Sequence, residues 1–268
     1  MTWILERPSD LPPHWRTDAA TGSELAFSTR RGGVSDAPFD TLNLGRSTAD
    51  QAERVAENRR RFLLACGTAP ERLATAGQVH GARIVEVAAP GHQPECDALL
   101  TSQPDLALAV TTADCMGILF AAPGAVAAAH AGWRGVAADL PALTLAAICR
   151  LAHCAPSEVS VHFGPCIRGC CYEVGDDVAA RFPAAALRRG EPRSKLDLPT
   201  AARIALALAG LPAERVHDTG ACTACEPHWY FSHRRDAGRT GRMWGVALRR
   251  GTHEAQKTEA PGRSDRRV

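Results

Sequence analysis

The stretch LALAVTTADCMGILFAAPGAVAAAHAGWRG, residues 106–135, contains three short apolar runs separated by polar or turn-forming residues. Runs of this length, bounded by turn residues, are typical of strands and short for helices. The connections between them leave no room for the helical crossovers that parallel strands require. The stretch therefore predicts neighbouring strands, with Cys115 at the end of the first run and His130 at the end of the last.

Short apolar runs with similar spacing recur along the chain and outnumber the helical patterns. One helix is predicted over residues 49–67, with Asp50 as its cap and Gly67 at its end. A second is predicted from Gly135 onwards, and the run YFSHRRD at 230–236 is predicted to be a strand. Together these patterns predict an α+β fold in which helices lie outside mixed sheets.

The composition is that of an ordinary globular protein, with 45% apolar and 22% charged residues among 268. This length suits one domain, which we assign to residues 1–250. Residues 251–268 are polar and lack core side chains, so we expect a disordered tail there.

Charge and hydropathy exclude several kinds of partner. The formal net charge of +2 gives no reason to expect nucleic acid or an anionic membrane. No apolar run reaches the roughly 18–20 residues of a membrane span, and the N-terminal residues lack a signal-peptide pattern. We therefore expect a cytoplasmic protein, and a monomer, whose ten cysteines are thiols or metal ligands rather than disulfides.

Three side chains at or near strand ends form a candidate metal site: His80, Cys115 and His130. Two imidazoles and one thiolate suit Zn²⁺, and three protein ligands leave the fourth position for water or substrate. A zinc ion held in this way can activate water and polarise a carbonyl group or a ring nitrogen. The spacing of the three residues matches no compact zinc motif, so spacing alone favours ordinary hydrogen-bonding roles for them.

A set of ordered motifs resembles the YfiH-type family of laccase-domain proteins over about residues 25–250. Two short ones, FSTRRGGVS (27–35) and LNLG (42–45), lie near the start. The longer ones follow in the order QVHG (78–81), CDALLTSQPDLALAVTTADC (96–115), AAAHAGWRG (127–135), FGPCIRGCCYEVG (163–175) and YFSHRRDAGRTGRMWGVALRR (230–250). The chain departs from the family pattern at Met116-Gly117, where proline is frequent, and at His233, where an aromatic residue is usual.

The resemblance implies a layered α/β/β/α fold and zinc ligands at His80, Cys115 and His130. It also implies a multifunctional purine nucleoside phosphorylase that splits adenosine, inosine, guanosine and methylthioadenosine with phosphate, and that deaminates adenosine. Purine nucleoside and phosphate are then the small-molecule partners. Two alternatives stay open: a copper-dependent polyphenol oxidase, and a peptidoglycan editing factor acting on nucleotide-linked wall precursors.

Further site residues follow from the same motifs. Arg30 and Asn43 are carried over from the family as substrate or phosphate contacts, because an arginine fork suits phosphate. Arg134 and Arg235 are expected to contribute to the pocket or to support its turns. Cys115, Asp114 and Arg30 are the predicted catalytic residues, Asp114 as the acid nearest the cysteine; Glu173 is a weaker acid candidate.

Two other interpretations concern the cysteines. Cys115 and His130 can also be a nucleophile and base of a hydrolase. Five further cysteines can in principle build a second metal site: Cys166, Cys170, Cys171, Cys222 and Cys225. Buried free thiols are the favoured interpretation of these residues.

Overall fold

The structure is a computed structural model that describes residues 3–19, 22–188, 190 and 192–251. Within these residues the strands form two large sheets and one small one. The first sheet has the strand order β1 (Ile4–Glu6), β2 (His14–Ala19), β3 (Ser23–Ser28), β16 (Met243–Arg249), β8 (Ala107–Thr112), β4 (Leu73–Ala76) and β6 (Gly91–Gln93). The second has the order β15 (Val216–Asp218), β11 (Ser160–Phe163), β9 (Met116–Ala122), β10 (Ala125–Ala131), β7 (Ala98–Thr101) and β5 (Ile84–Glu86).

Both large sheets are mixed. Strand β4 runs parallel to β8 and β6, and β5 runs parallel to β7, whereas the β9–β10 pair is an antiparallel hairpin. A small antiparallel sheet has the order β12 (Glu173–Val174), β14 (Ser194–Leu196) and β13 (Leu187–Arg188). The helices are α1 (Ala52–Ala65), α2 (Trp133–Ala137), α3 (Leu140–Ala152), α4 (Asp176–Ala179) and α5 (Leu198–Leu208).

The alternation of side chains along each strand builds a four-layer α/β/β/α arrangement, because successive residues face opposite sides of a sheet. On β8, Leu108 and Val110 face the second sheet, whereas Ala107 and Ala109 face α1. Helices α3 and α5 cover the other face of the second sheet, with Ile148 packed in the same cluster as β9 and β10. The expected α+β class and layered order are confirmed.

Small residues let the two sheets approach each other around Phe27, whose side chain is almost fully buried. A Cβ atom added at Gly164 would lie 2.4 Å from the Phe27 ring, and one added at Gly245 would lie 2.6 Å from it. These glycines therefore leave the space that the ring occupies, and the ring fixes how the sheets meet.

Several predicted elements differ in the structure. The residue that caps α1 is Gln51 and not Asp50, whose carboxylate accepts hydrogen bonds from Ser35 and Asn43 instead. Residues 230–236 form no strand: 230–232 are irregular and 233–236 lie in turns. The helix predicted from Gly135 is divided into α2 and α3. The predicted tail after residue 251 lies outside the described residues. Among the residues described, no helix is long and apolar enough to cross a membrane.

Candidate metal centre and substrate cavity

The three predicted ligands meet because the chain passes between the two large sheets near their common end. Cys115 lies in the connection from β8 to β9, and His80 lies in the connection from β4 to β5. His130 is near the end of β10 and pairs with Gly117 on β9, close to where β9 begins. The ligand atoms of the three side chains all lie within 4.8 Å of one another.

The carboxylate of Asp97, just before β7, holds two of the three ligands in place. One oxygen accepts a hydrogen bond from His130 Nδ1 at 2.9 Å and another from the backbone N–H of His80 at 3.0 Å. The other oxygen accepts from the backbone N–H groups of Gly81 at 2.7 Å and Val79 at 3.2 Å. Because Nδ1 of His130 is hydrogen-bonded to Asp97, Nε2 is the nitrogen that faces Cys115 and is available to bind a metal ion.

Cys115 and His130 polarise each other strongly. Burial opposes ionisation of the Cys115 thiol, but His130 and His80 lower its pKa to about 6. Burial likewise opposes protonation of His130, but the charge of Cys115 and the hydrogen bond to Asp97 raise its pKa to about 9. At neutral pH the metal-free pair is therefore a thiolate and an imidazolium, and the thiolate is the form that binds metals.

The three side chains fit a metal ion by their donor types and by the space around them. Two histidines and a thiolate are a borderline-soft set that suits Zn²⁺. Gly132 lies beside them, and a Cβ there would be 3.0 Å from Cys115 Sγ and 3.3 Å from His80 Cδ2. The absence of a side chain at this position keeps the surroundings of the ligands open.

These ligands form part of the wall of a cavity of about 890 Å³. Trp133 and Tyr172 supply aromatic surface, and His92 and His233 add imidazoles. Asp114 is the single carboxylate among the described lining residues. Five arginines line the same cavity: Arg46, Arg59, Arg134, Arg234 and Arg242. The excess of positive charge favours an anionic ligand.

Arg30, Asn43 and Arg235, which the sequence analysis assigned to substrate, do not line this cavity. The Arg30 guanidinium donates to the carbonyl of Pro227 and to both the carbonyl and the carboxylate of Asp40. Asn43 is fully buried, and its side chain bonds to neighbouring loop groups. Arg235 donates to the carbonyl groups of Thr223 and Tyr230 and to Asp236. Their donor groups are thus committed to holding loops together.

Asp114 and Arg134 do line the cavity. Strand β8 ends at Thr112, and the backbone of Asp114 has a φ of 84°, so Asp114 stands beyond the strand. One oxygen accepts from Thr223 Oγ1 and the other from the backbone N–H of Arg234, each at 2.6 Å. Asp114 therefore ties two segments of the cavity wall, at positions 114 and 234, to the turn that contains Thr223. Arg134 lies over the Trp133 ring at 4.4 Å.

The sequence analysis missed Asp97 and the arginines at positions 46, 59 and 242. Asp97 stands immediately before an apolar run, in the segment ECDALL, and this was its only local signal. Arg59 lies within the pattern of α1 and reads as a surface charge, yet it is buried and donates twice to the carbonyl of Leu44. Burial lowers the pKa of Arg59 to about 10.

Residues 24–250 match the family described as multi-copper polyphenol oxidoreductase laccase, and the chain belongs to that family. Its relatives carry a different activity in their names. A purine nucleoside phosphorylase of Deinococcus radiodurans is 44% identical over 227 residues, which are 82% of this chain and 87% of that protein. Purine nucleoside phosphorylase YfiH of Escherichia coli is 36% identical, over 86% of this chain and 95% of that protein.

Solved structures have the same fold. The crystal structure of YlmD from Geobacillus stearothermophilus aligns with a TM-score of 0.87 and 35% identity, covering 93% of this chain and all of that one. The crystal structure of YfiH from Bacillus licheniformis aligns with a TM-score of 0.85 and 30% identity, covering 92% of this chain and 98% of that one.

Proposed function

We propose that the protein is a zinc-dependent purine nucleoside phosphorylase, with adenosine deamination as a secondary activity. The observation that carries the proposal is the cavity in which a metal-ligand triad and five arginines face the same space. The names of the relatives in Deinococcus and Escherichia support the same reaction class. The proposed substrates are adenosine, inosine, guanosine and methylthioadenosine.

Phosphorolysis requires a phosphate dianion held next to the anomeric carbon of the sugar. Phosphate oxygen forms a bond to that carbon, the C–N bond breaks, and its electron pair leaves with the purine. Arginine suits the phosphate, because its planar fork donates two parallel charge-assisted hydrogen bonds. Arg134 and Arg46 are exposed at the cavity, whereas Arg59 already donates to a backbone carbonyl. We assign phosphate binding first to Arg134 and Arg46.

His80, Cys115 and His130 would hold the zinc ion, which supplies Lewis acidity towards a bound oxygen or ring nitrogen. Asp97 orients His130, and Gly132 leaves room beside the ligands. In deamination a proton must also reach the leaving amine. Asp114 is the lining carboxylate, but both of its oxygens accept hydrogen bonds within the protein, which fits the secondary rank of that activity.

Product analysis with adenosine tests the proposal directly. With phosphate present, the zinc-loaded protein should release adenine and ribose 1-phosphate; without phosphate, inosine should form slowly. Arg134→Gln should raise the KM for phosphate about tenfold, the value expected for one charge-assisted hydrogen bond. Arg150→Gln, on α3 and away from the cavity, is the matched control and should leave it unchanged. Absence of both products with zinc-loaded protein would refute the proposed function.

Copper-dependent phenol oxidation is the second candidate, favoured by the family description and by the two-histidine, one-cysteine donor set, which also occurs in blue-copper sites. A multi-copper oxidase needs protein ligands, largely histidines, for more than one copper ion. The part of the chain that the structure describes groups only two histidines with a cysteine. Metal analysis together with dioxygen uptake on a phenol separates the two candidates.

Two further alternatives have separate tests. Action on nucleotide-linked wall precursors would use the same arginine-lined cavity, and assays with uridine-diphosphate amino sugars would reveal it. A hydrolase that uses Cys115 and His130 as nucleophile and base would be alkylated at Cys115 even when zinc is present. A thiolate bound to a metal ion would instead be shielded from the alkylating reagent.

A further inference from the structure

Four cysteines outside the cavity form a second group of potential metal ligands. Cys170 and Cys171 precede β12, whereas Cys222 and Cys225 lie in a turn about fifty residues later in the chain. Their sulfur atoms all lie within 4.8 Å of one another. The Sγ–Sγ distances are 3.5 Å for Cys170–Cys222, 3.6 Å for Cys170–Cys225 and 3.3 Å for Cys171–Cys225.

We propose that these four thiols bind a second Zn²⁺ ion, as a structural site separate from the triad. A tetrahedral zinc ion with Zn–S bonds of about 2.3 Å holds its sulfur ligands about 3.8 Å apart. The three distances fall short of this value by about 0.5 Å or less. Four protein ligands leave no open position, which is the arrangement of structural zinc sites.

Hydrogen-bond donors and a positive charge lie beside the cluster. Backbone groups of Cys225 and Arg168 donate hydrogen bonds to the Cys222 sulfur. Four thiolates and one Zn²⁺ carry a net charge of −2 after the four thiol protons are released. The ammonium group of Lys195 lies at the cluster, where it donates to the carbonyl of Cys170 at 3.0 Å, and its charge offsets part of that excess.

The arrangement of the thiols is that of one group and not of two separate pairs. Cys170 lies nearly as close to Cys225 as to Cys222, so its sulfur has two neighbours at almost equal distance. A disulfide joins each sulfur to a single partner at about 2.05 Å and leaves the others aside. Shared neighbours are what a central ion requires.

The proposed ion would brace one wall of the cavity without touching substrate. The segment with Cys170 and Cys171 continues into Tyr172, which lines the cavity. Between Cys222 and Cys225 lies Thr223, whose hydroxyl donates to Asp114. Binding would therefore fasten together two segments that are distant in sequence, one of which continues into the cavity wall while the other supports Asp114.

Zinc stoichiometry tests the proposal independently of any enzymatic activity. Wild-type protein purified with zinc under reducing conditions should contain two equivalents by elemental analysis and by native mass spectrometry. Cys225→Ser and His130→Ala should each lose one equivalent, and together they should lose both. Cys154→Ser, which removes a thiol outside the cluster, is the control and should keep two equivalents of zinc.

A second measurement is made first on the wild-type chain, so that its first result does not depend on the folding of a variant. Substitution with Co²⁺ should give the intense thiolate-to-cobalt absorption of a four-sulfur site in addition to the weaker bands of the triad. That absorption should persist in His130→Ala. A single zinc equivalent that His130→Ala removes completely would overturn the proposal. Disulfide bonds among the four cysteines in protein that lacks the second ion would also overturn the proposal. Each disulfide would lower the measured mass by two hydrogens, and the bonds would map to Cys170, Cys171, Cys222 and Cys225.

Discussion

Replacement of Asp97 by asparagine should weaken metal binding more than any other conservative change near the triad. Each carboxylate oxygen accepts two hydrogen bonds, one from His80 N–H and His130 Nδ1, the other from Gly81 and Val79 N–H. Asparagine keeps one oxygen and replaces the other with an amide NH₂ group. Whichever way the amide turns, two donors lose their acceptor and face another donor.

The size of the effect follows from these contacts. Asp97 is fully buried, so water cannot replace the lost acceptor. An unsatisfied buried donor costs about 1–3 kcal/mol, and two cost about 2–6 kcal/mol of folding free energy. Loss of the carboxylate partner of a metal-binding histidine weakens metal affinity about 10–100-fold. If the amide nitrogen faces His130, the ring proton moves to Nε2, where the metal needs a lone pair.

Two measurements on Asp97→Asn separate these effects: urea unfolding of metal-free protein, and zinc competition against a chromophoric chelator. Asp114→Asn is the matched control, because Asp114 is also buried and accepts two hydrogen bonds, but none from a ligand of the triad. The control should lose stability and keep its zinc affinity within about twofold. Equal zinc affinity in wild type and Asp97→Asn would refute the role assigned to Asp97.

Three further predictions address the triad, the core and acid stability. Gly132→Ala should lower zinc affinity about tenfold, because the alanine methyl group would crowd Cys115; unchanged affinity in a competition titration would contradict this. Gly164→Ala should cost about 1–3 kcal/mol in urea unfolding by overpacking against Phe27, and Phe27→Leu should recover part of it; a neutral single variant would contradict it. Burial opposes ionisation of Asp218, but the guanidinium group of Arg168, which donates hydrogen bonds to this carboxylate, lowers its pKa below the ordinary 3.8. The stabilisation from the ionised carboxylate is therefore complete above about pH 4 and is lost as pH falls through the lowered value. Wild type should be more stable than Asp218→Asn at pH 6, and the difference should shrink below about pH 4; equal stability at pH 6 would contradict this.

The sequence predicted the fold class because its strands are short, apolar and closely spaced. The run over β8, β9 and β10 leaves little alternative to adjacent strands, and the family motifs indicated the layers. The divided helix was not predicted, because the break depends on Asp139, whose backbone has a φ of 58°. The sequence does carry one local signal, Pro141, which is tolerated only near the start of a helix or at a kink and which lies in the first turn of α3.

The candidate site was predictable only as far as its motifs extend. Motif positions named the three residues that the structure brings together, while metal binding itself stays a prediction. Arg30 looked like a phosphate ligand, yet its partners include the carbonyl of Pro227, 197 positions away. The direction of a long side chain depends on such distant partners, and so do the cavity positions of Arg59 and Arg242.

The hydrogen-bond network around Asp97 affects how the protein would gain and lose its metal ion when that metal is scarce. Its hydrogen bonds join backbone and side-chain groups, so folding alone aligns His80 and His130 before any ion arrives. An ion could then depart and return while the chain keeps its shape. The fraction of metal-loaded molecules would follow the supply of the ion within the time of ligand exchange, with no need for new synthesis or refolding.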